Sequence, residues 1–165
     1  MILTKPEILK LIKNKKIIIK PFDESAVGPA SIDLTLDNKL RIFKSNKILD
    51  ENANYKSATR IINISKNYIL KPSELVLGIT KEKITLPEDI CGWLNSRSRF
   101  ARIGLMSHIT APFIAPGVSN HQVLEIFNAS KNKIKLLPNT KICQLVLQEC
   151  KGKAKYSGKF KNQEL

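Results

Sequence analysis

Three arginines, Arg97, Arg99 and Arg102, lie close together near the middle of the chain, with Ser98 between the first two. A guanidinium group binds phosphate through a rigid pair of N–H donors, and a serine hydroxyl adds a compact donor beside it. An exposed basic turn is the alternative interpretation, but such turns are more often built from lysine. The segment therefore predicts a site that holds a polyanion.

A single glutamate interrupts an apolar run further along the chain. Residues 123–127 read VLEIF, so both faces of a strand there would be apolar around Glu125. Burial disfavours the charged form of a carboxyl group, and we therefore expect a raised pKa for Glu125, in the range useful for proton transfer. The alternative is a glutamate that pairs with an arginine for structural reasons or lies at an exposed sheet edge. With the arginines, Glu125 predicts phosphate binding next to acid–base chemistry.

The two histidines do not form a metal-binding pattern. His108 and His121 lie far apart in the sequence and lack the H-E-x-x-H and H-x-E spacings. The P-C-x-x-C element that zinc-dependent base deaminases require is absent from the sequence, as are the P-loop and the G-x-G-x-x-G fingerprint. We therefore expect no zinc, no other protein-bound metal, and supporting roles for both histidines.

The whole chain is strongly basic. In 165 residues, 28 Lys and Arg against 14 Asp and Glu give a net charge of +14. Such a balance favours polyanionic partners, of which nucleic acid is the most general. However, the lysines are scattered, the aromatic residues follow no stacking pattern, and no RNA-recognition or zinc-finger signature occurs. A solvated lysine surface explains the charge at least as well, so we do not expect a nucleic-acid partner.

The cysteines and the apolar runs indicate the compartment. Cys91, Cys143 and Cys150 form an odd set without C-x-x-C spacing, which is typical of reduced thiols in a cytoplasmic protein. The N-terminus lacks a signal-peptide core, and no apolar run approaches the ~18 to 20 residues of a membrane span. We expect a cytoplasmic protein without membrane attachment, and 165 residues fit one domain.

The elements that must position these side chains begin with a helix and a strand. A helix is predicted over residues 5–14, where Thr4 and Glu7 have the capping-box spacing. Apolar and polar residues then alternate over residues 31–42, which predicts a strand. Residues 44–58 are rich in Asn and Lys and predict a loop.

The rest of the chain consists of short strand candidates. They lie at residues 17–19, 61–64, 68–70, 75–79, 84–86, 91–94, 108–110, 123–127, 134–136 and 142–147. Residues 96–104 lack alternation and predict a short helical turn. Many brief strands separated by Pro, Gly, Asn and Ser are typical of all-β proteins. We therefore predict a mainly β fold, a distorted β-barrel or jelly roll with a short N-terminal helix.

Four segments together resemble one known family. SIDLTLDNKLRIF at residues 31–43 resembles the S-I-D-L-x-L-G-N-x-F segment of the dCTP deaminase family. LPEDICGWLNSRSRFARIGL at residues 86–105 resembles its L-P-x-D-L-x-G-W-x-x-R-S-S-L-A-R-x-G-L segment. HITAPFIAPG and VLEIFN resemble H-x-T-A-x-x-I-D-x-G and V-L-E-x-x-N. The resemblance runs nearly end to end, and the four motifs together are far more specific than any one of them.

The resemblance implies a fold shared with the trimeric dUTPases and a homotrimer with its sites between subunits. It implies metal-free hydrolytic deamination of dCTP to dUTP and ammonia, with Mg²⁺ accompanying only the triphosphate and dTTP a candidate inhibitor. The implied catalytic residues are Glu125 as proton shuttle, with Ser98 and Arg102 positioning nucleotide and water. The implied substrate-binding residues are Arg97, Arg99, the main-chain carbonyl of Ala111, Tyr156, Lys159 and Gln163, the last three in a tail, residues 151–165, that closes over the site.

The chain departs from the family pattern at several positions. Arg99 stands where the family has a second serine, and Ala115 stands where it has an aspartate. In dUTPases, and in relatives that also cleave the triphosphate, that aspartate helps to hold sugar and water, so Ala115 argues against diphosphohydrolase activity. Val118 and Asn120 replace a common tryptophan and glycine. The alternatives are therefore a dUTP diphosphatase or bifunctional enzyme that forms dUMP and, in another class, a non-catalytic nucleotide or nucleic-acid binder.

Overall fold

The computed structural model describes residues 1–44, 48–158 and 160–165. These residues form the helices α1 (Lys5–Lys13), α2 (Tyr55–Ala58) and α3 (Ser98–Ala101), with a 3-10 turn at Glu24–Ala26. The strands are β1 (Ile18–Lys20), β2 (Ile32–Phe43), β3 (Thr59–Asn63), β4 (Tyr68–Leu70), β5 (Leu75–Thr85), β6 (Ile90–Ser96), β7 (Leu105–Met106), β8 (Phe113–Ile114), β9 (Ser119–Asn128), β10 (Ile134–Leu136) and β11 (Lys141–Glu149).

Most strands join one antiparallel sheet. Its order is β7-β9-β5-β2-β11-β6-β8, with β1 also paired to β5 and β3 to β2, while β4 and β10 pair separately. The first part of β2, from Ile32 to Thr35, pairs with β11, whereas its second part pairs with β5 and β3. The register between β2 and β5 shifts between Leu36 and Leu40, and such a bulge lets a strand turn a corner. The sheet therefore curls, and the mainly β, barrel-like prediction is confirmed.

The core lies inside this curled sheet and fixes the strand that carries Glu125. Leu34 and Leu36 of β2, Leu124 and Ile126 of β9 and Leu145 of β11 have no exposed surface. Each such side chain contributes on the order of 2 kcal/mol through burial. Because Leu124 and Ile126 face the core, the neighbouring Glu125 is directed to the opposite face of β9.

The N-terminal helix is confirmed, but its capping box is not. Thr4 is the N-cap residue, and its side chain caps no N–H group. The Glu7 carboxylate instead pairs with the Lys10 ammonium, 3.2 Å away on the next turn. Since both charges are exposed, this pair contributes little to stability.

Several predicted boundaries are wrong. Residues 75–79 and 84–86 belong to the single strand β5, whose pairing with β9 shifts between Ile79 and Lys83. Residues 108–110 form no strand. The predicted loop at residues 44–58 ends in the short helix α2, and residues 45–47 lie outside the described part of the chain. No helix in the described ranges has the length and apolar character that a membrane span requires.

Candidate active site

A cleft of about 440 Å³ opens on the face of β9 that carries Glu125. Leu77 of β5 and Val123 of β9 form part of its wall, and Phe113 of β8 forms another part. The loop between β7 and β8 contributes His108 and Ala111. The cleft thus combines apolar walls with a carboxylate on β9, which is the usual composition of a small-molecule site.

The Glu125 carboxylate is held by one residue of the β7–β8 loop. Its Oε2 atom accepts a hydrogen bond from the main-chain N–H of Thr110 at 2.7 Å. The Thr110 hydroxyl lies 2.9 Å from Oε1 and 2.8 Å from Oε2. The loop is tied down in turn, because Ser107 donates to the Ser96 hydroxyl from both its N–H and its own hydroxyl. These bonds explain why residues 108–110 form no strand: the N–H of Thr110 faces a carboxylate and not a neighbouring strand.

The charge state of Glu125 differs from the prediction. Partial burial of the side chain acts to raise the pKa of Glu125, but the hydrogen bonds from Thr110 outweigh it, with help from His108 and the N–H of Ile109. The pKa of Glu125 is therefore lowered, and the prediction of a raised pKa is wrong. Hydrogen bonds to the charged form stabilise it more than partial burial destabilises it.

His108 lies beside this carboxylate. Its Nδ1 atom accepts a hydrogen bond from the Glu125 N–H at 3.4 Å, and its Nε2 atom is buried without a partner among the described residues. His121 has a different position, since its Nδ1 atom lies 3.0 Å from the main-chain oxygen of Thr80. Both histidines contact the strand frame, and only His108 of the two lines the cleft.

The tail forms the roof of the cleft. Tyr156, Phe160, Gln163 and Glu164 line it, and the N–H of Tyr156 donates to the main-chain oxygen of Pro116 at 3.0 Å. The side-chain amide of Gln163 donates to the main-chain oxygen of His121 at 3.3 Å. Of the predicted substrate-binding residues, Ala111, Tyr156 and Gln163 are therefore brought to the same cleft as Glu125. Lys159 lies outside the described residues.

The arginine segment does not line this cleft. The helix α3 confirms the predicted helical turn, and Ser98, Arg99 and Arg102 are exposed. The Arg97 guanidinium pairs with Asp33 at 3.0 Å and donates to the main-chain oxygen of Lys141 at 2.7 Å. None of the four residues lines the cleft of the same chain. Their roles in catalysis and phosphate binding stay predictions.

No group of three or more His, Cys, Asp or Glu residues within the described ranges could hold a metal ion. The three cysteines are free thiols, with Cys91 and Cys143 buried. Burial raises the pKa of Cys91 to about 11, and contact with Cys150 adds to the effect.

The comparison that decides the family is a family model described as dCTP deaminase-like, which matches residues 2–150. The chain belongs to the dCTP deaminase-like family. Two similar curated relatives are each named "dCTP deaminase, dUMP-forming". The one from Pseudarthrobacter chlorophenolicus is 38% identical to this chain over 149 residues, and the one from Streptomyces coelicolor is 39% identical over 151 residues. These matches cover 88% and 89% of this chain, and 78% and 79% of the relatives. A relative of the same name from a Nocardioides species is 35% identical and covers 99% of this chain and 91% of its own length.

Solved structures agree on the fold. The crystal structure of 2'-deoxycytidine 5'-triphosphate deaminase from Agrobacterium tumefaciens superposes with a TM-score of 0.71 at 19% identity, over 88% of this chain and 47% of that protein. This chain therefore spans about half the length of the Agrobacterium protein. A dUTPase of Staphylococcus bacteriophage 80alpha gives a TM-score of 0.51 at 17% identity, over 87% of this chain and 96% of that one. The predicted family, the dUTPase-like fold and the class, an enzyme, are confirmed.

Sequence reasoning missed several residues at the roof of the cleft. Asn120 and Gln122 are buried at alternate positions of β9 and line the cleft. Polar residues at apolar positions of a strand are a readable signal, because a buried amide needs a partner. Arg41 and Tyr55 contact the end of the tail. No sequence pattern linked them to it, since the contacts join residues more than one hundred positions apart.

Proposed function

We propose that this chain hydrolyses the amino group from the cytosine of dCTP, with Glu125 as the proton carrier. One observation supports this most: a carboxylate on β9 lies in the cleft and is fixed there by the main-chain N–H and the hydroxyl of Thr110. The names of the curated relatives and the family resemblance of VLEIFN favour the same reaction.

The reaction uses the two protonation states of one carboxyl group. Glu125 takes a proton from water as the water oxygen bonds to C4 of the ring, and passes that proton to ring N3. The second proton of the water moves to the amino group, the C4–N bond breaks, and ammonia and the uracil ring remain. The lowered pKa keeps Glu125 ionised at neutral pH, which is the form that accepts the first proton. The main-chain oxygen of Ala111, a residue of the same cleft, is proposed to face the base.

The fate of the triphosphate separates two candidate products. Ala115 lines the cleft at the position where the family resemblance expects an aspartate, which favours release of dUTP. The relatives are named dUMP-forming, which favours a second hydrolysis to dUMP and pyrophosphate. We propose dUTP as the first product, with Mg²⁺ entering as part of the substrate, and dUMP formation as the second candidate function.

A homotrimer would bring the arginine segment to a cleft. Ser98, Arg99 and Arg102 are exposed and do not line the cleft of their own chain. We propose that Ser98 and Arg102 position nucleotide and water in the cleft of a neighbouring subunit, with Arg97 and Arg99 near the phosphates. Arginine provides the bidentate donors that a triphosphate requires.

The test is incubation of the purified chain with dCTP and Mg²⁺, with ammonia measured enzymatically and nucleotides separated by chromatography. We expect ammonia in equal amount to the deaminated nucleotide. Glu125→Gln, which keeps the shape but removes the proton carrier, should lower kcat by at least about 10²-fold. Full activity of Glu125→Gln, or no turnover of the wild type, would contradict the proposal. Tight, salt-sensitive nucleic-acid binding without turnover would favour the non-catalytic alternative.

A further inference from the structure

Two buried amides form a connected pair at the roof end of the cleft. Gln122 and Asn120 are both 7% exposed, and the Nε2 atom of Gln122 donates to the Oδ1 atom of Asn120 at 2.7 Å. The Gln122 N–H donates to the Thr80 hydroxyl at 3.0 Å. This network fixes the orientation of the Asn120 amide, because its oxygen is occupied by Gln122 and its nitrogen must then face the other way.

The free side of the Asn120 amide faces the tail. Its Nδ2 atom donates to the main-chain oxygen of Phe160 at 3.2 Å and to that of Lys161 at 3.3 Å. The family resemblance places a glycine at this position, and glycine has no side chain to make such bonds. The contact therefore belongs to this chain and not to the shared family pattern.

The end of the tail is held at two more points. The Tyr55 hydroxyl donates to the main-chain oxygen of Glu164 at 3.2 Å. The Nη2 atom of Arg41 donates to the main-chain oxygen of Leu165 at 3.3 Å. The Arg41 guanidinium also lies over the Tyr55 ring, 5.6 Å from its centroid. Arg41 is only 7% exposed, so its guanidinium group is largely shielded from solvent beside Tyr55 and Leu165.

Hydrogen bonds carry more of the tail's attachment than apolar burial does. Phe160 remains 50% exposed, and Lys161 and Glu164 are exposed as well. A segment with little buried apolar surface opens at low free energy, so a few hydrogen bonds decide whether it stays closed. Lifting the tail would also break the two bonds that the Nδ2 atom of Asn120 donates to it, which adds to the cost of opening.

We propose that Asn120, oriented by Gln122, is a positioning residue that holds residues 160–165 closed over the cleft before the nucleotide binds. This inference rests on the proposed deaminase function, because it assigns the closed tail a role in binding dCTP. A roof formed in advance lowers the ordering cost of binding. The amide pair therefore strengthens dCTP binding and lowers KM, while the rate of the chemical step at Glu125 does not depend on it.

The experiment compares two variants with a matched control. Asn120→Asp keeps the acceptor for Gln122 but replaces the nitrogen that donates to Phe160 and Lys161. Tyr55→Phe removes only the donor to Glu164 and changes no charge. Asn132→Asp is the control, since it makes the same exchange at an exposed side chain without a hydrogen bond among the described residues.

Two quantities are measured on each full chain. The first is the rate of tryptic cleavage at Lys161 without nucleotide, relative to cleavage at the exposed Lys151 of the same molecule. Loss of the two Asn120 bonds should raise this ratio roughly tenfold, and loss of the Tyr55 bond about threefold. The second is steady-state turnover of dCTP. In each variant, KM should rise by about the same factor as the cleavage ratio of that variant. The kcat of both variants should stay within about twofold of the wild type.

We call the hold of Asn120 on residues 160–165 the clamp. The outcomes test the clamp separately from the proposed deaminase function. A Lys161 ratio equal to that of Asn132→Asp in both variants would overturn the clamp, even if the wild type deaminates dCTP. A fall in KM, or a loss confined to kcat, would also overturn it. If the Lys161 ratio rises as expected but no form turns over dCTP, the clamp stands and the proposed deaminase function fails. If Asn120→Asp does not fold, Asn120→Gly, which also removes the two bonds to the tail, is measured in its place.

Discussion

Thr110 controls the protonation of Glu125 through two separate donors. Its main-chain N–H and its hydroxyl both contact the carboxylate, and both favour the charged form. The first of these donors is independent of the side chain, whereas the second can be removed by substitution. We therefore expect the Thr110 hydroxyl to influence the acid limb of the pH profile of the proposed activity.

Thr110→Val should raise the pKa of Glu125, because it removes the hydroxyl and keeps the shape and the N–H. In the proposed mechanism Glu125 accepts the first proton only when it is ionised, so activity should be lost as pH falls through its pKa. The acid limb of kcat/KM for dCTP should thus move to higher pH in Thr110→Val. Thr35→Val is the control, since its hydroxyl makes no hydrogen bond in the described part of the chain. An unmoved acid limb would assign that limb to another group.

Ala115→Asp should shift the product from dUTP toward dUMP. The substitution places in the cleft the carboxylate that the family resemblance associates with cleavage of the triphosphate. We expect the ratio of dUMP to dUTP, measured by chromatography after complete deamination, to rise several-fold over the wild type. A wild type that already yields only dUMP would show that Ala115 does not prevent the second hydrolysis.

Individual residues differ in how far the sequence predicts them. Glu125 could be identified because a carboxylate in the VLEIF run is unusual. Its pKa could not be predicted, since the deciding donors come from Thr110, fifteen residues away in a loop. Arg97 was recognisable as a cation but not as the partner of Asp33, because that pair depends on how β2 lies beside the chain that follows β6.

At the scale of elements, the periodicity of apolar residues predicts that a strand exists better than it predicts where the strand begins and ends. The strand β2 was predicted from its alternation, and residues 68–70 and 134–136 were predicted with the bounds of β4 and β10. The sequence predicts two strands where the structure has the single strand β5. The polar residues 81–83 interrupt the apolar pattern at a bulge, but the strand continues through it. A bulge, or a loop whose N–H groups bond to a side chain, produces no regular alternation of apolar and polar residues in the sequence.

The turn before β9 is the element that brings the tail close to the sheet. Gly117 has φ +74°, and a Cβ atom there would lie 3.0 Å from the Cα atom of Lys155. Gly152 also has a positive φ, +93°, but a Cβ atom there would meet nothing within 4 Å. The two glycines thus separate backbone strain from crowding of the tail.

Gly117→Ala should both destabilise the fold and weaken dCTP binding, whereas Gly152→Ala should only destabilise it. Each substitution places a side chain in the left-handed region, at a cost of about 1–2 kcal/mol in the free energy of unfolding. Only Gly117→Ala also pushes Lys155 away from the turn. Thermal unfolding and the KM for dCTP measure the two effects, and equal KM values in both variants would contradict the expected crowding.

At the scale of the whole molecule, the arginine segment is exposed and does not line the cleft of its own chain. Cyclic symmetry can join such surfaces, because each copy then supplies one surface to each neighbour. The net charge of +14 suits a tetra-anionic substrate and does not require nucleic acid. The oligomer could be proposed only through the family resemblance, since no residue pattern within the chain specifies it.

Mixing two inactive variants tests the proposed homotrimer. Glu125→Gln lacks the proposed proton carrier, and Arg102→Ala lacks the proposed contribution to the neighbouring cleft. If they are unfolded together in equal amounts and refolded, random pairing should restore about a quarter of wild-type activity. Each variant refolded alone is the control. Absence of recovery in the mixture would place Arg102 and Glu125 in the same chain's site or outside catalysis.

The aromatic pair beside the cleft gives the molecule its own optical reporter. Trp93 is the only tryptophan of the chain, is 40% exposed, and lies 5.0 Å from the ring of Phe113, which forms part of the cleft wall. A nucleotide that displaces water from this wall changes the polarity around the indole ring. Intrinsic fluorescence of the unlabelled protein should therefore follow occupancy of the cleft in real time, without any catalytic turnover.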